Sequence, residues 1–242
     1  MLPPEQRPTP EGAAATLGHV THTSTRMHGT TIVAVNRGGV SALAGDGQVS
    51  LGDTIVKRGA VKVRTLADGA VLVGFAGAVS DAFTLLDKFD GHLSASRNNL
   101  LKAAVETVKE WRTDRVLRNL EAMLLVANRQ QILSLSGHGD VIIPDEGVAA
   151  VGSGGPYAQA AALALLRATD LEAGEIARRA LAIAGEIDVY TSGSGTVLEV
   201  GGKGGGGDAD GSSDADSGDA DSAGDADSQA SSGAKGASEE DS

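Results

Sequence analysis

The chain has 242 residues, 34 glycines, no cysteine and only six aromatic residues, and its 32 acidic against 20 basic side chains give a formal charge of -12. Lack of cysteine excludes a disulfide framework, a zinc-thiolate site and a thiol nucleophile; no apolar run approaches the ~20 residues that cross a bilayer, and no basic patch interleaved with aromatics offers itself to nucleic acid. The charge is uneven, because eleven acids and two lysines stand between Gly201 and Ser242, leaving about -3 for everything before them, an ordinary value for a soluble domain.

In chain order, residues 1–26 are proline-rich and lack a hydrophobic stretch long enough for a signal peptide, so they read as a disordered leader and secretion is not indicated. Met27 stands just before the first patterned segment and is an alternative initiator to Met1. Short β-branched runs broken by glycine then predict strands over 31–35, 40–44, 54–56, 61–65 and 71–75. A helix is predicted over 80–89, with Ala82, Leu85, Leu86 and Phe89 on one face. A longer one is predicted over 100–117, where Leu101, Ala104, Val105, Val108 and Trp111 fall at helical spacing. Residues 122–127 and 132–135 predict a hairpin, 148–151 a strand, 156–168 and 172–184 two Ala-rich helices, and 196–200 a closing strand. Strands, two helices, strands, two helices and a strand, in that order, favour helices layered on two packed sheets over alternating parallel βαβ units. With few aromatics the core is built from Val, Leu, Ile and Ala, and residues 30–200 suit one domain.

The segment 201–242 is mostly Gly, Ala, Ser and Asp, with D-A-D recurring at Asp208, Asp214, Asp219 and Asp225. Paired aspartates suit calcium. The spacing varies, however, no glutamate closes a loop, and no hydrophobic flank folds around an ion, so a solvated disordered tail is the expectation.

Three glycine-rich patches, 44–48, 73–77 and 151–156, are each expected at a strand end, where tight turns are the ordinary reading. A phosphate loop is not supported, because no G-K-[ST] follows. The histidines (His19, His22, His28, His92, His138) show no H-E-x-x-H spacing, and there is no G-x-S-x-G elbow. Among nucleophiles the pair Thr30-Thr31 after Gly29 is distinctive, yet threonine is also an ordinary strand residue.

Several segments carry a resemblance: His28 to Val33 (HGTTIV), Ala44 to Gln48 (AGDGQ), Gly74 to Gly77 with Asp81 to Leu85, Trp111 to Leu124 (WRTDRVLRNLEAML), and Gly152 to Ala162 (GSGGPYAQAAA). In that order they resemble the HslV (ClpQ) family, the proteasome-like peptidase partner of the HslU ATPase. The resemblance implies an α+β N-terminal-nucleophile hydrolase fold, a four-layer αββα sandwich like that of proteasome β-subunits. Its domain would span 30–200, between a leader or propeptide over 1–29 and the tail over 201–242. The family's catalytic threonine, first in the mature chain, maps onto Thr30. A threonine hydroxyl needs a nearby base, and a free α-amine with a pKa of about 7.7–8.0 serves as one. An internal Thr30 has only an amide nitrogen, so the Gly29-Thr30 bond must be cut, by attack of the Thr30 hydroxyl on the Gly29 carbonyl.

The resemblance further implies Lys62 as the active-site lysine, Asp46 as its partner, the Gly74 amide as oxyanion donor and Ser153 as support for the Thr30 amine. Surface ion pairing is the competing reading of Lys62 and Asp46. A sodium ion would be held by main-chain oxygens of Gly185, Asp188 and Thr191, so that side-chain identity at Asp188 would matter little. The implied partners are HslU-type AAA+ ATPase hexamers, a second ring of the same chain in a double hexamer, and unfolded protein substrates, in the cytoplasm; ATP is consumed by the partner. Two rival readings are a non-catalytic ring subunit of the same fold and another N-terminal-nucleophile amidohydrolase. Intact Thr30, Asp46, Lys62 and Gly74 disfavour the first, and the WRTDR run disfavours the second.

Overall fold

Strand residues that alternate between two buried destinations, rather than between core and water, set the architecture. The computed structural model describes residues 27–77, 79–114, 122–136 and 138–202. Its first half runs through strands Met27–His28 (β1), Thr31–Arg37 (β2), Val40–Asp46 (β3), Val49–Leu51 (β4), Thr54–Lys57 (β5), Val63–Leu66 (β6) and Val71–Gly77 (β7), then helices Val79–Ala95 (α1) and Leu100–Thr113 (α2). Strands Ala122–Ala127 (β8), Ile132–Ser136 (β9), Val141–Ile142 (β10) and Val148–Gly152 (β11) follow, then helices Gly155–Ala168 (α3) and Ala173–Ile187 (α4) and strand Gly195–Val200 (β12).

The described strands form three antiparallel sheets, ordered β11-β2-β3-β12, β10-β9-β8-β7-β6 and β1-β4-β5. In β2, Val33 and Val35 pack with α3 and α4, whereas Ile32 and Ala34 face the second sheet. In β7, Val71, Val73 and Phe75 pack under α1 and α2, whereas Leu72 and Ala76 face the first sheet. This period of two with both faces buried yields the expected helix-sheet-sheet-helix sandwich. Between the sheets, Gly45 of β3 and Gly74 of β7 leave room for Ile32 and Val63. A Cβ at Gly45 would lie 2.8 Å from Ile32 Cδ1, and one at Gly74 2.7 Å from Ile32 Cγ2.

Gly45 was expected in a tight turn beyond its strand, and the structure corrects this: it sits inside β3, as Gly74 sits inside β7 where a strand over 71–75 was predicted, both small because the sheets meet there. The short strands β1, β4 and β10 carry too few residues for a period-two signal and were not anticipated from the sequence. Helix α2 begins where the Asn99 side chain accepts the Lys102 N-H at 2.9 Å and stops at Thr113, four residues before its expected end. The expected leader over 1–26, most of the tail (203–242), and residues 115–121 of the WRTDR run lie outside the described residues, so the helix limit concerns the described part alone.

Candidate active site

Asp46 ends β3 and is fully buried, and a carboxylate in such a place must be surrounded by donors. Its Oδ1 accepts the Thr31 N-H at 2.7 Å and the Lys62 ammonium at 2.7 Å, and its Oδ2 accepts the Gln48 N-H at 2.8 Å and the Ser192 N-H at 3.3 Å. Asp46 thus ties the start of β2, the β3–β4 turn and the loop after α4 to one lysine. Lys62, 4% exposed, gives its other two protons to the carbonyls of Gln48 (2.5 Å) and Gly29 (2.9 Å). Burial draws this ammonium below the ordinary lysine pKa, and the Asp46 charge and hydrogen bond work against that fall. The pair is buried, so its reading as a surface ion pair is excluded.

Both ends of the Gly29-Thr30 peptide bond are held. The Thr30 hydroxyl donates to the Gly29 carbonyl at 2.6 Å, on the oxygen that Lys62 also contacts. Gly29 has φ +113°, and a Cβ there would lie 2.7 Å from the Tyr190 carbonyl oxygen, so both conformation and space require glycine. On the other side the Thr30 carbonyl accepts the Ser153 N-H at 3.0 Å. That contact depends on Gly152, with φ +97°, where a Cβ would lie 1.8 Å from the Thr30 oxygen. Met27 and His28 extend the segment as β1, paired with Leu51 and Ser50 of β4.

Behind Thr30 a chain of hydroxyls ends on a carboxylate. The Gly154 N-H donates to Thr31 Oγ1 at 2.9 Å, and Thr31 Oγ1 meets Thr191 Oγ1 at 2.7 Å. Thr191 Oγ1 donates to Asp188 Oδ2 at 2.5 Å, which leaves Thr31 as donor to Thr191; Ser153 Oγ donates to the same Asp188 oxygen at 2.7 Å. The Asp188 side chain therefore orders Ser153 and Thr191, correcting the expectation that its identity would matter little. Gly185, Asp188 and Thr191 fall on one bend at the end of α4, where the Thr191 N-H donates to the Asp188 carbonyl at 3.0 Å and the Gly185 backbone lies tight against Gly193.

A cavity of about 590 Å³, within the roughly 300–1,000 Å³ of ligand pockets, opens beside Thr30. Gly29, Thr30, Lys62, Phe75, Phe83 and Gly77 are among its walls. Gly74 is not among them: its Cα is packed in the sheet interface, whereas Gly77, with φ +135° at the end of β7, borders the cavity. The glycine pattern of 74–77 pointed at the right strand, and only the pleat shows which glycine reaches the open end. The structure brings together Thr30, Asp46, Lys62 and Ser153; Thr31, Thr191 and the Asp188 carboxylate were missed as a network because isolated threonines carry no signal of their own.

Comparison with known proteins adds independent findings. The proteasome subunit family model matches residues 27–200. The ATP-dependent protease subunit HslV of Pseudothermotoga lettingae is 55% identical over 171 residues, covering 71% of this chain and 97% of that protein. The protein of the same name from Petrotoga mobilis is 56% identical over 166 residues, 69% of this chain and 94% of its own. Among solved structures, the eukaryotic HslV of Trypanosoma brucei superposes with a TM-score of 0.68 at 42% identity, over 71% of this chain and 99% of that one.

Proposed function

The chain belongs to the proteasome family, in its HslV branch, and we propose that it cuts its own Gly29-Thr30 bond to become an N-terminal threonine endopeptidase acting on unfolded polypeptide. As a member of that branch it is a proteasome-type peptidase subunit of an ATP-dependent protease. The observation that carries the residue assignment is the contact of the Thr30 hydroxyl and the Lys62 ammonium with one oxygen, the Gly29 carbonyl.

All three Lys62 protons are engaged, so Lys62 acts here as an electrophile and not as a base. In processing, Thr30 Oγ bonds to the Gly29 carbonyl carbon while Lys62 stabilises the negative charge on its oxygen. The Gly29-Thr30 C-N bond breaks, the hydroxyl proton passes to the nitrogen, and water then hydrolyses the ester, releasing the Gly29 carboxylate. The new α-amine takes the hydroxyl proton in each later turnover, with Lys62 holding its pKa down by like charge. Ser153 holds the Thr30 carbonyl through its N-H, and Asp188 holds the Ser153 hydroxyl beside it. We assign the oxyanion donor to Gly77 in place of Gly74, because Gly77 borders the cavity; one such donor is typically worth about 10²–10³ in kcat.

A sodium ion suits the bend of Gly185, Asp188 and Thr191 by donor chemistry, since main-chain carbonyls are the hard oxygen donors such an ion takes. Its contribution would be to brace the loop that carries Thr191 and Ser192. No described helix is long and apolar enough to cross a membrane. We place the protein in the cytoplasm, in a double ring of hexamers fed by HslU-type AAA+ ATPase hexamers. The domain limits 30–200 follow from processing at Thr30 and the last strand.

The decisive experiment is N-terminal sequencing and intact-mass measurement of the purified protein. A mature chain beginning at Thr30 is expected, and an active preparation that keeps the Gly29-Thr30 bond would refute the mechanism. Thr30→Ala is expected to abolish processing and peptide hydrolysis, whereas Thr30→Ser preserves part of both.

A further inference from the structure

We infer that the side-chain amide of Gln48 is a positioning group for the reaction: it anchors the residue whose carbonyl holds Lys62, and so aims the lysine's remaining proton at the oxygen of the bond being cut. The inference rests on the peptidase reading above. Gln48 stands between β3 and β4 and is 3% exposed. A glutamine is seldom buried so deeply unless its amide is satisfied. Its Nε2 donates to Ser50 Oγ at 3.0 Å and to the Val189 carbonyl at 2.9 Å, using both protons. A carbonyl only accepts, so the nitrogen end must face Val189 and the amide has one orientation. The acceptors lie on different elements, Ser50 in β4 and Val189 in the loop after α4 that carries Thr191 and Ser192. The backbone of the same residue reaches the other way, its N-H to Asp46 Oδ2 at 2.8 Å and its carbonyl to the Lys62 ammonium at 2.5 Å.

The three protons of an ammonium are tetrahedrally arranged. Once two are committed to Asp46 Oδ1 and the Gln48 carbonyl, the direction of the third is set. That third proton meets the Gly29 carbonyl at 2.9 Å, on the oxygen where charge builds during cleavage. After the leader has gone, Asp46 and Gln48 remain to aim it at the carbonyl of each substrate. Gly47, just before, is a pliable link that the close Arg58 backbone requires, since a Cβ there would lie 2.1 Å from the Arg58 oxygen. The place of the Gln48 carbonyl therefore depends on the side-chain anchor. Gln48 is not among the residues lining the cavity, so its effect falls on the lysine and not on substrate binding.

The test compares the mature full-length enzyme with Gln48→Met, which keeps the length of the side chain and removes both donors. Each is assayed with the partner ATPase and ATP on one fluorogenic peptide, and rates are counted per chain that intact mass shows to begin at Thr30. Gln48→Met is expected to lower kcat about tenfold or more with KM unchanged. Lys62 works as a cation, and burial already draws its pKa below the ordinary lysine value. Losing an acceptor lowers it further, so the alkaline limb of the kcat profile is expected to move to lower pH. Asp46 opposes that shift in both enzymes, and the Thr30 amine, Lys57 and Arg64, the other charged groups at the cavity, are common to both. Ser50→Ala removes one of the two acceptors and is expected to lose about threefold in kcat in the same sense; it decides the matter by the same readouts should Gln48→Met not fold. A lowered kcat with the alkaline limb in place would show a structural role alone and overturn the inference, as would a raised KM with kcat kept, or wild-type kinetics. A wild-type chain that neither processes nor cleaves would overturn the peptidase reading and this inference together.

Discussion

The two helix layers of the sandwich are packed with different materials. Over the β6–β10 sheet, α1 and α2 bury Phe89, Leu93, Leu100 and Trp111, among the largest fully buried side chains of the molecule. Over the β2–β3 sheet, α3 and α4 bury Ala158, Ala162, Ala173, Ala177, Ala180 and Ala184. Alanine keeps the second layer thin, so helix ends come close to the strand backbone: Gly154, at the start of α3, bonds Thr31, and Asp188, at the end of α4, bonds Ser153 and Thr191. The first layer supplies bulk and gives the cavity one wall residue, Phe83. Stability and site geometry are thus divided between layers, and the division can be tested from its largest effect to its smallest.

Lys62→Met strikes the catalytic side hardest. Asp46 keeps its backbone donors and loses its countercharge, and breaking a buried pair in this way costs about 3–5 kcal/mol. The variant is expected to retain the Gly29-Thr30 bond and to show no peptide hydrolysis, checked by intact mass and by denaturant unfolding; a processed, active variant would break the comparison.

A matched pair then contrasts the layers. Trp111→Ala removes the largest buried side chain of the bulky layer and is expected to cost about 3–5 kcal/mol, while kcat/KM per folded molecule stays near wild type. Ala177→Leu overpacks the thin layer at about 1–3 kcal/mol, and it is expected to lower kcat/KM because α4 shifts with Asp188 at its end. Equal activity losses from both would show that the layers are not divided as argued.

The smallest effect belongs to the exposed ion pairs. Glu110 bonds Lys88 and His92 between α1 and α2, and those bonds hold its carboxyl below the ordinary glutamate pKa. Because the group is near water, Glu110→Gln is expected to cost no more than about 1 kcal/mol, measured as a shift in the unfolding midpoint with unchanged activity.

Much of this was legible beforehand. The strands at 31–37, 40–46 and 71–77 and all four helices were readable from β-branched runs and helical spacing, because long patterned segments report burial directly. The short strands were not, since β4 and β10 exist through their partners. At the site, Thr30, Asp46, Lys62 and Ser153 came from the family resemblance, not from the residues themselves, as a lone Thr-Thr or Asp has an ordinary structural reading. Trp111 was placed correctly on the core face of α2, yet its indole N-H finds no acceptor among the described residues, which no periodicity could reveal.

What the sequence determined by itself was which chemistries lack their residues, with no thiol, no metal-hydrolase spacing and no G-x-S-x-G elbow, while the family resemblance singled out Thr30 and its need for a free amine. Tertiary structure alone decided which groups meet it. Gly74 and Gly77 differ by three positions on a pleated strand, so one packs between sheets and the other borders the cavity. The Asp188 carboxylate reaches Ser153, 35 residues away in the chain, because α3 and α4 pack side by side. Local pattern is set by near neighbours, whereas an active site is a convergence of distant ones, and only the packed layers fix where those distances close.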